Sequence, residues 1–329
     1  MSPLISICIP TYNGEKVLSE TLSSILRQSG DDVEIVICDD CSTDRTVEIA
    51  QAISGNYPHV RVFRNPKNLG MDRNFAQSVR HSTGKYIWFS GQDDIYEPGA
   101  VDKIHAVLER HSDIGLIYFN YRFVSGDLQR EIAPPILDIP DDCYVDGAEA
   151  YFSAVDSAPS FLPATVIQRS LWDEVPVEKF YDTHYVQVAV WLMSLNKMKT
   201  YIISDARLIS CRVPEDSWKY TGGQMLFETM TGKFWVYKSV HEQDPRLVPP
   251  HILEWFRKDF FSRVVRKIIV MKSIGMKPTP RLYSQLKYLV DSQAYYYFGI
   301  LPAMLLPRWL AGAAMGMHSW IRHGTVSKE

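Results

Sequence analysis

Over the first 120 residues, short apolar runs alternate with stretches whose apolar residues recur every three or four positions. Ile5–Pro10, Val33–Cys38, Val60–Phe63, Lys85–Ser90 and Leu116–Phe119 are the runs, and their length and continuity predict strands buried on both faces. Between them, Leu18, Leu22, Ile25 and Leu26, then Val47, Ala50 and Ile53, then residues 73–82 predict helices. Ser42 or Thr43 is placed to cap the second of these, and Pro98 stands where a fourth begins. This alternation predicts an α/β fold with a mainly parallel, doubly wound, Rossmann-like sheet covered by helices on both faces. From about residue 126 the rhythm breaks at Pro134, Pro135 and Pro140. A helix near Tyr185–Leu195 and a strand near Thr200–Ser204 follow, residues 212–224 read as an exposed loop, and the last 80 residues read as helical.

Composition narrows the class. The 329 residues are 46% hydrophobic and 22% charged with a net charge of −3, which fits a globular chain and gives no basic field for nucleic acid. The cysteines, Cys8, Cys38, Cys41, Cys143 and Cys211, are odd in number and lack zinc-ribbon spacing, so they read as reduced thiols of a cytosolic protein. Cys38 and Cys41 have the spacing of a redox pair, but the two aspartates between them raise a thiol pKa. No signal peptide opens the sequence, and no run of about twenty apolar residues spans a membrane.

Ligands of open parallel sheets bind outside the carboxyl ends of the strands. Three predicted strand ends deliver Pro10-Thr11-Tyr12-Asn13, Asp39-Asp40 and Gly91-Gln92-Asp93-Asp94 to one rim. Asp93 and Asp94 suit Mg²⁺ or Mn²⁺ holding a diphosphate, because such ions take one or two carboxylates plus phosphate oxygens. Asp39 and Asp40 suit the N–H and O–H donors of a nucleoside. The bland alternative is that Asp40 or Asp44 only caps the next helix. Neither GxGxxG nor GxxxxGK[ST] is present, which removes the main support for a dinucleotide or P-loop site.

Ile9-Pro-Thr-Tyr-Asn13, Ile37-Cys-Asp-Asp-Cys-Ser-Thr-Asp44, Asn68-Leu-Gly70, Asn74 and Asp93-Asp94, in that order, resemble the family 2 glycosyltransferases of the A-type fold. The resemblance implies inverting transfer of a sugar from a nucleoside diphosphate donor. It implies that Pro10, Thr11, Tyr12 and Asn13 approach the nucleotide, that Asp39 contacts the base, and that Asp93 faces a metal. Asp40, Asn68, Asn74, Gln92 and Arg212 are further candidates on the donor side, with loop-holding hydrogen bonds the alternative for Asn68 and Asn74. One departure stands out: the first acid of the family's metal motif falls on Gly91.

In the second half, Ala164–Trp172 and Tyr181-Asp-Thr-His184 resemble the acceptor side of the family. An inverting displacement needs a base for the acceptor hydroxyl. Asp182 is the first candidate and His184 the second, with helix N-capping the alternative for Asp182. Arg212 and Lys219, in the expected loop, are candidates to close over the diphosphate, with a solvated surface the favoured alternative for each. Three regions are expected: residues 1–125 for the sugar nucleotide, 126–245 for the acceptor, and a helical 246–329. Arg257–Val270 mixes basic and apolar residues at helical spacing, and Ala294–Leu306 is apolar and aromatic but interrupted by Pro302. Both stretches suit a membrane surface or an oligomer contact. Members of the family that assemble bacterial O-antigen or capsule imply a glycan or polyprenyl-linked glycan acceptor, and a cytoplasmic chain peripheral to the inner face of the plasma membrane. A non-catalytic binding protein of the same fold is the rival reading, with Gly91 in its favour.

Overall fold

The computed structural model describes residues 2–155, 160–213, 222–273, 277–290, 293–311 and 313. Twelve strands are present among them: β1 (Ile5–Thr11), β2 (Val33–Asp39), β3 (Val60–Arg64), β4 (Tyr86–Phe89), β5 (Ile95–Tyr96), β6 (Ile114–Phe119), β7 (Arg122–Ser125), β8 (Glu131–Ala133), β9 (Cys143–Val145), β10 (Thr165–Gln168), β11 (Lys199–Ile203) and β12 (Ile209–Val213). Eight form one sheet in the order β3-β2-β1-β4-β10-β6-β11-β9, and four form a second in the order β5-β12-β7-β8. Neighbours from β3 to β4 are parallel, as the continuous apolar runs predict. β10 then enters antiparallel between β4 and β6.

Helices α1 (Leu18–Leu26), α2 (Thr46–Ser54), α3 (Met71–His81), α4 (Ala100–Arg110), α5 (Gly147–Ala154), α6 (Arg169–Asp173) and α7 (Val186–Ser194) complete this part. Leu18, Leu22 and Ile25 of α1 and Phe75, Ala76 and Val79 of α3 are buried at helical spacing. The indole of Trp88 on β4 stacks on Phe119 at 5.4 Å between centroids and donates from Nε1 to the Pro163 carbonyl at 2.7 Å. It thereby fixes the end of β4 to the segment that leads into β10.

Two local expectations change. Neither Ser42 nor Thr43 caps α2: Asp44 Oδ1 accepts from Thr46 N at 3.0 Å, while Ser42 is bonded to Asp39. Arg212 does not lie in an exposed loop, because Cys211 and Arg212 pair with β7 inside β12 and Arg212 is buried. Lys219 lies outside the described residues.

The chain divides into two compact units, Met1–Glu215 and Asp216–Glu329. Residue 125 falls within the first, where β10 and β11 complete the sheet begun by β1 to β4. The second unit contains helices Gly222–Gln243, Pro250–Ser273 and Pro280–Leu289, then a π turn at Tyr296–Ile300 that runs into Leu301–Leu305. Its core joins Phe234, Phe260, Val264, Ile268, Met271, Leu286, Ile300 and Met304. From the basic stretch 257–270, Phe260, Val264 and Ile268 are buried in this core, and Val265, Ile269 and Val270 pack partly buried against it. Among the described residues no helix is long and apolar enough to cross a bilayer.

Candidate active site

Parallel pairing in register puts Thr11, the last residue of β1, opposite Asp39, the last of β2, and Pro10 opposite Cys38. Thr11 Oγ1 donates to Asp39 Oδ2 at 3.4 Å, Ser42 N donates to Oδ1 at 2.9 Å, and the Ser42 hydroxyl donates to Oδ2. Asp39 is fully buried, and Arg64 Nε covers it at 3.6 Å with about half of its own side chain exposed. The loops that follow are laced together. Asn13, in the left-handed region at φ 49°, donates from its N–H to Ser42 Oγ and accepts from Thr43 N, both at 2.9 Å. Gln92 closes the third side: its Oε1 accepts from Tyr12 N at 2.9 Å and its Nε2 donates to Tyr12 O at 3.1 Å. This clasp fits only because residue 14 is glycine, since a Cβ there would lie 2.5 Å from Gln92 Oε1. Three strand ends thus meet at one rim, with the Tyr12 ring exposed over it.

Asp40, Asn68 and Asn74 hold the neighbouring loop. Asp40 is buried and accepts from Asn65 Nδ2 at 2.9 Å, Leu69 N at 2.8 Å and Gly70 N at 2.9 Å. Asn74 is buried too, donating to the Cys38 carbonyl at 2.9 Å and accepting from Asn65 Nδ2 at 2.9 Å. Asn68 Oδ1 accepts from Gly70 N at 3.0 Å. With their oxygens engaged this way, Asp40 and Asn74 fix the entry to α3.

Asp93 and Asp94 both turn toward Gly91: a Cβ there would meet Asp94 Oδ2 at 2.3 Å and Asp93 Oδ1 at 3.0 Å. Burial pushes both carboxyls above the usual aspartate range, and for Asp94 the nearby Asp93 adds to the rise. Arg212 works against it: its N–H donates to Asp94 Oδ1 at 3.2 Å and its guanidinium pairs with Glu20 at 2.5 Å. No group of three or more His, Cys, Asp or Glu poised for a metal occurs among the described residues. The donors present nevertheless fit Mg²⁺ or Mn²⁺, because two converging carboxylates, unsettled as a pair, are what such an ion takes beside a diphosphate.

On the other side of α3, Asp182 and His184 both adopt left-handed backbone, at φ 64° and 66°. Left-handed non-glycine residues are uncommon and persist where their surroundings hold them. The holder is Asp72, in the first turn of α3. Its Oδ2 accepts from His184 N at 2.8 Å and its Oδ1 from Val186 N at 3.3 Å. Asp72, not Asp182, therefore caps α7. Burial raises its carboxyl, while these backbone N–H groups oppose the rise. Next to it, Arg73 grips both oxygens of Asp182, with Nη2 to Oδ2 at 3.1 Å, and lies 4.9 Å over the Tyr181 ring. The pair Asp72-Arg73 was not singled out from sequence, because an acid and a base at a helix start look like ordinary dipole partners. Arg64, Ser42 and Glu20 were missed for the same lack of local signal.

Known proteins resemble this chain in sequence and in fold. Residues 6–150 match the family model described as glycosyl transferase family 2. The abequosyltransferase RfbV of Salmonella typhimurium is 33% identical over 236 residues, which are 67% of this chain and 69% of that one. The chain belongs to glycosyl transferase family 2. It is thus a glycosyltransferase of an inverting family. A chondroitin synthase of Escherichia coli is 38% identical over 125 residues, but these make up only 18% of its length. Among solved structures, that of S. aureus TarS 1–349 in complex with UDP-GlcNAc has a TM-score of 0.62 at 17% identity, covering 97% of this chain and 92% of that one. The mannosyltransferase PcManGT of Pyrobaculum calidifontis, in complex with GDP-Man and Mn²⁺, has a TM-score of 0.56 at 14% identity over 96% of this chain and 88% of that one. These likenesses place the family 2 chain in the A-type fold.

Proposed function

We propose that this chain moves a sugar from a nucleoside diphosphate donor to a hydroxyl of a glycan or polyprenyl-linked glycan during assembly of a bacterial surface polysaccharide such as O-antigen or capsule. The observation that carries the reading is the meeting of the β1, β2 and β4 ends around Thr11, Asp39 and Gln92, beside the carboxylates of Asp93 and Asp94. A base N–H reaches Asp39 by taking the place of Arg64, the exposed member of that ion pair. Asp93 and Asp94 hold the divalent ion, which supplies positive charge to the departing diphosphate when bound. Its relatives and structural neighbours, an abequosyltransferase, a chondroitin synthase and proteins bound to UDP-GlcNAc or GDP-Man, support this donor and acceptor class.

Asp182 takes the proton of the acceptor hydroxyl as that oxygen attacks the anomeric carbon on the face opposite the diphosphate, inverting the centre. For this, one oxygen of Asp182 leaves the Arg73 fork. His184, in the same strained loop, is the second candidate for this proton.

The test is turnover of a panel of UDP-, GDP-, CDP- and dTDP-sugars with and without Mn²⁺, followed by product stereochemistry by NMR. Asp182→Asn is expected to lower kcat by about a thousandfold with donor affinity unchanged. Unchanged kcat in that variant would remove Asp182 from the reaction and direct attention to His184.

A further inference from the structure

The helical segment 293–305 is apolar on two sides. Tyr296, Ile300, Ala303 and Met304 are buried in the core of the second unit. On the other side Tyr297 is 47% exposed, Phe298 86% and Leu305 64%, and just beyond them Trp309 is 72% exposed. A helix that is apolar all round is ordinarily buried all round, and single exposed apolar residues differ from a run of four large ones within thirteen positions.

Charge says what covers this face. Residues 250–311 hold ten Lys or Arg against three Asp or Glu, in a chain whose net charge is −3. Arg257, Lys258, Lys277 and Arg308 are exposed among them. Arg308 lies between Pro307 and Trp309 and donates from Nε to the Ser273 carbonyl at 3.2 Å, which brings it to the end of the helix that carries Lys272. A second copy would set one excess of positive charge against another. An anionic bilayer surface is complementary to it, and Trp and Tyr are the side chains that settle at the headgroup level.

We propose that the exposed residues Tyr297, Phe298, Leu305 and Trp309, in a region with an excess of Lys and Arg, dock on an anionic phospholipid surface. They lie in the interface and do not span it. The basic stretch 257–270 contributes charge, since Phe260, Val264 and Ile268 are buried in the core of the second unit.

The experiment is flotation of the full chain with vesicles of phosphatidylcholine alone, or with about 30% phosphatidylglycerol. The chain is expected to float with the anionic vesicles, less so at high salt, and to stay behind with phosphatidylcholine alone. Phe298→Ser with Trp309→Ser is expected to weaken flotation by about tenfold or more. Ile132→Ser, which removes an exposed apolar residue of the first unit, should leave it unchanged. Circular dichroism melts check that each variant folds, and Lys272→Glu with Arg308→Glu tests the charge separately if the aromatic variant does not. No flotation with anionic vesicles, or flotation indifferent to the aromatic and charge variants, overturns the proposal. So does an aromatic variant that turns a dimer into a monomer while vesicle binding persists. The readout is independent of sugar transfer, so it stands or falls apart from the donor and acceptor roles assigned above.

Discussion

At the scale of single residues, the pair Asp93 and Asp94, proposed above to hold a metal, works against the stability of the ligand-free chain at neutral pH. Two carboxyls converge on Gly91 with Arg212 opposing their charge, and both are held above the ordinary range by burial. Replacing one by a neutral isostere relieves that repulsion. Asp94→Asn keeps an oxygen for the Arg212 N–H and is expected to raise the melting temperature of the ligand-free chain at neutral pH while lowering transfer. The same crowding explains Gly91. Restoring an acid there puts its Cβ 2.3 Å from Asp94 Oδ2, so Gly91→Asp should lower Mn²⁺-dependent turnover by about tenfold or more, measured by diphosphate release. A variant that matched or exceeded the parent would show that the site has room for the family's usual acid.

Among the elements, α3 links the rim proposed for the donor to the loop proposed to carry the base. Its entry loop hangs on Asp40, and its first turn reaches across to the strained loop before α7 through Asp72 and Arg73. Removing the Asp72 carboxylate leaves two nearly buried backbone N–H groups without that acceptor. Asp72→Ala should therefore cost about 2 kcal/mol by urea unfolding. It should also lower kcat more than it changes the donor KM, because the loop it frees carries Asp182 and not the nucleotide contacts. A change confined to stability would reduce Asp72 to a capping residue. This link was invisible beforehand because a first-turn acid caps its own helix in most chains, whereas Asp72 caps a helix more than a hundred residues away. The strands β1, β2 and β4 were legible because burial on both faces leaves an unbroken apolar run. β10 and β12 were not, since β10 has four residues and Ser210, Cys211 and Arg212 break the run of β12. The interior of β12 is also why Arg212 was misplaced in a loop: its charge reads as exposed until Glu20, Asp93 and Asp94 are seen around it.

The molecule as a whole carries buried carboxyls of two opposite kinds. Burial raises Asp72, Asp93 and Asp94, so their contribution favours folding at low pH and is lost as pH climbs from the unfolded value of 3.8 through their higher folded values. For Glu34, burial pushes the carboxyl up but hydrogen bonds from Ser6, Thr83 and Arg61 outweigh it. For Asp142 the same balance is struck by Lys103, Ser204 and Tyr201. These two sit below their usual range, and their contribution is lost as pH falls below about 4. The ligand-free chain should accordingly melt higher near pH ~5 than near pH ~7.5 in calorimetry, and Asp94→Asn should flatten that slope. A slope unchanged in the variant would mean that the pair is not its source. That the sheet would be mainly parallel, and that three strand ends would share a rim, could be read from the sequence; the antiparallel entry of β10 and the charge each buried acid bears could not, because both depend on partners far off in the chain.

The clasp between Gln92 and the Tyr12 backbone leaves a mark on how this protein can drift over generations. Position 14 stays bare only while the amide at 92 reaches over it, so the two positions share one volume. A lineage that acquires alanine or serine at 14 must shorten or redirect residue 92 in the same step, and then loses the tie between the first and fourth strand ends. Descendants should therefore change both together or neither.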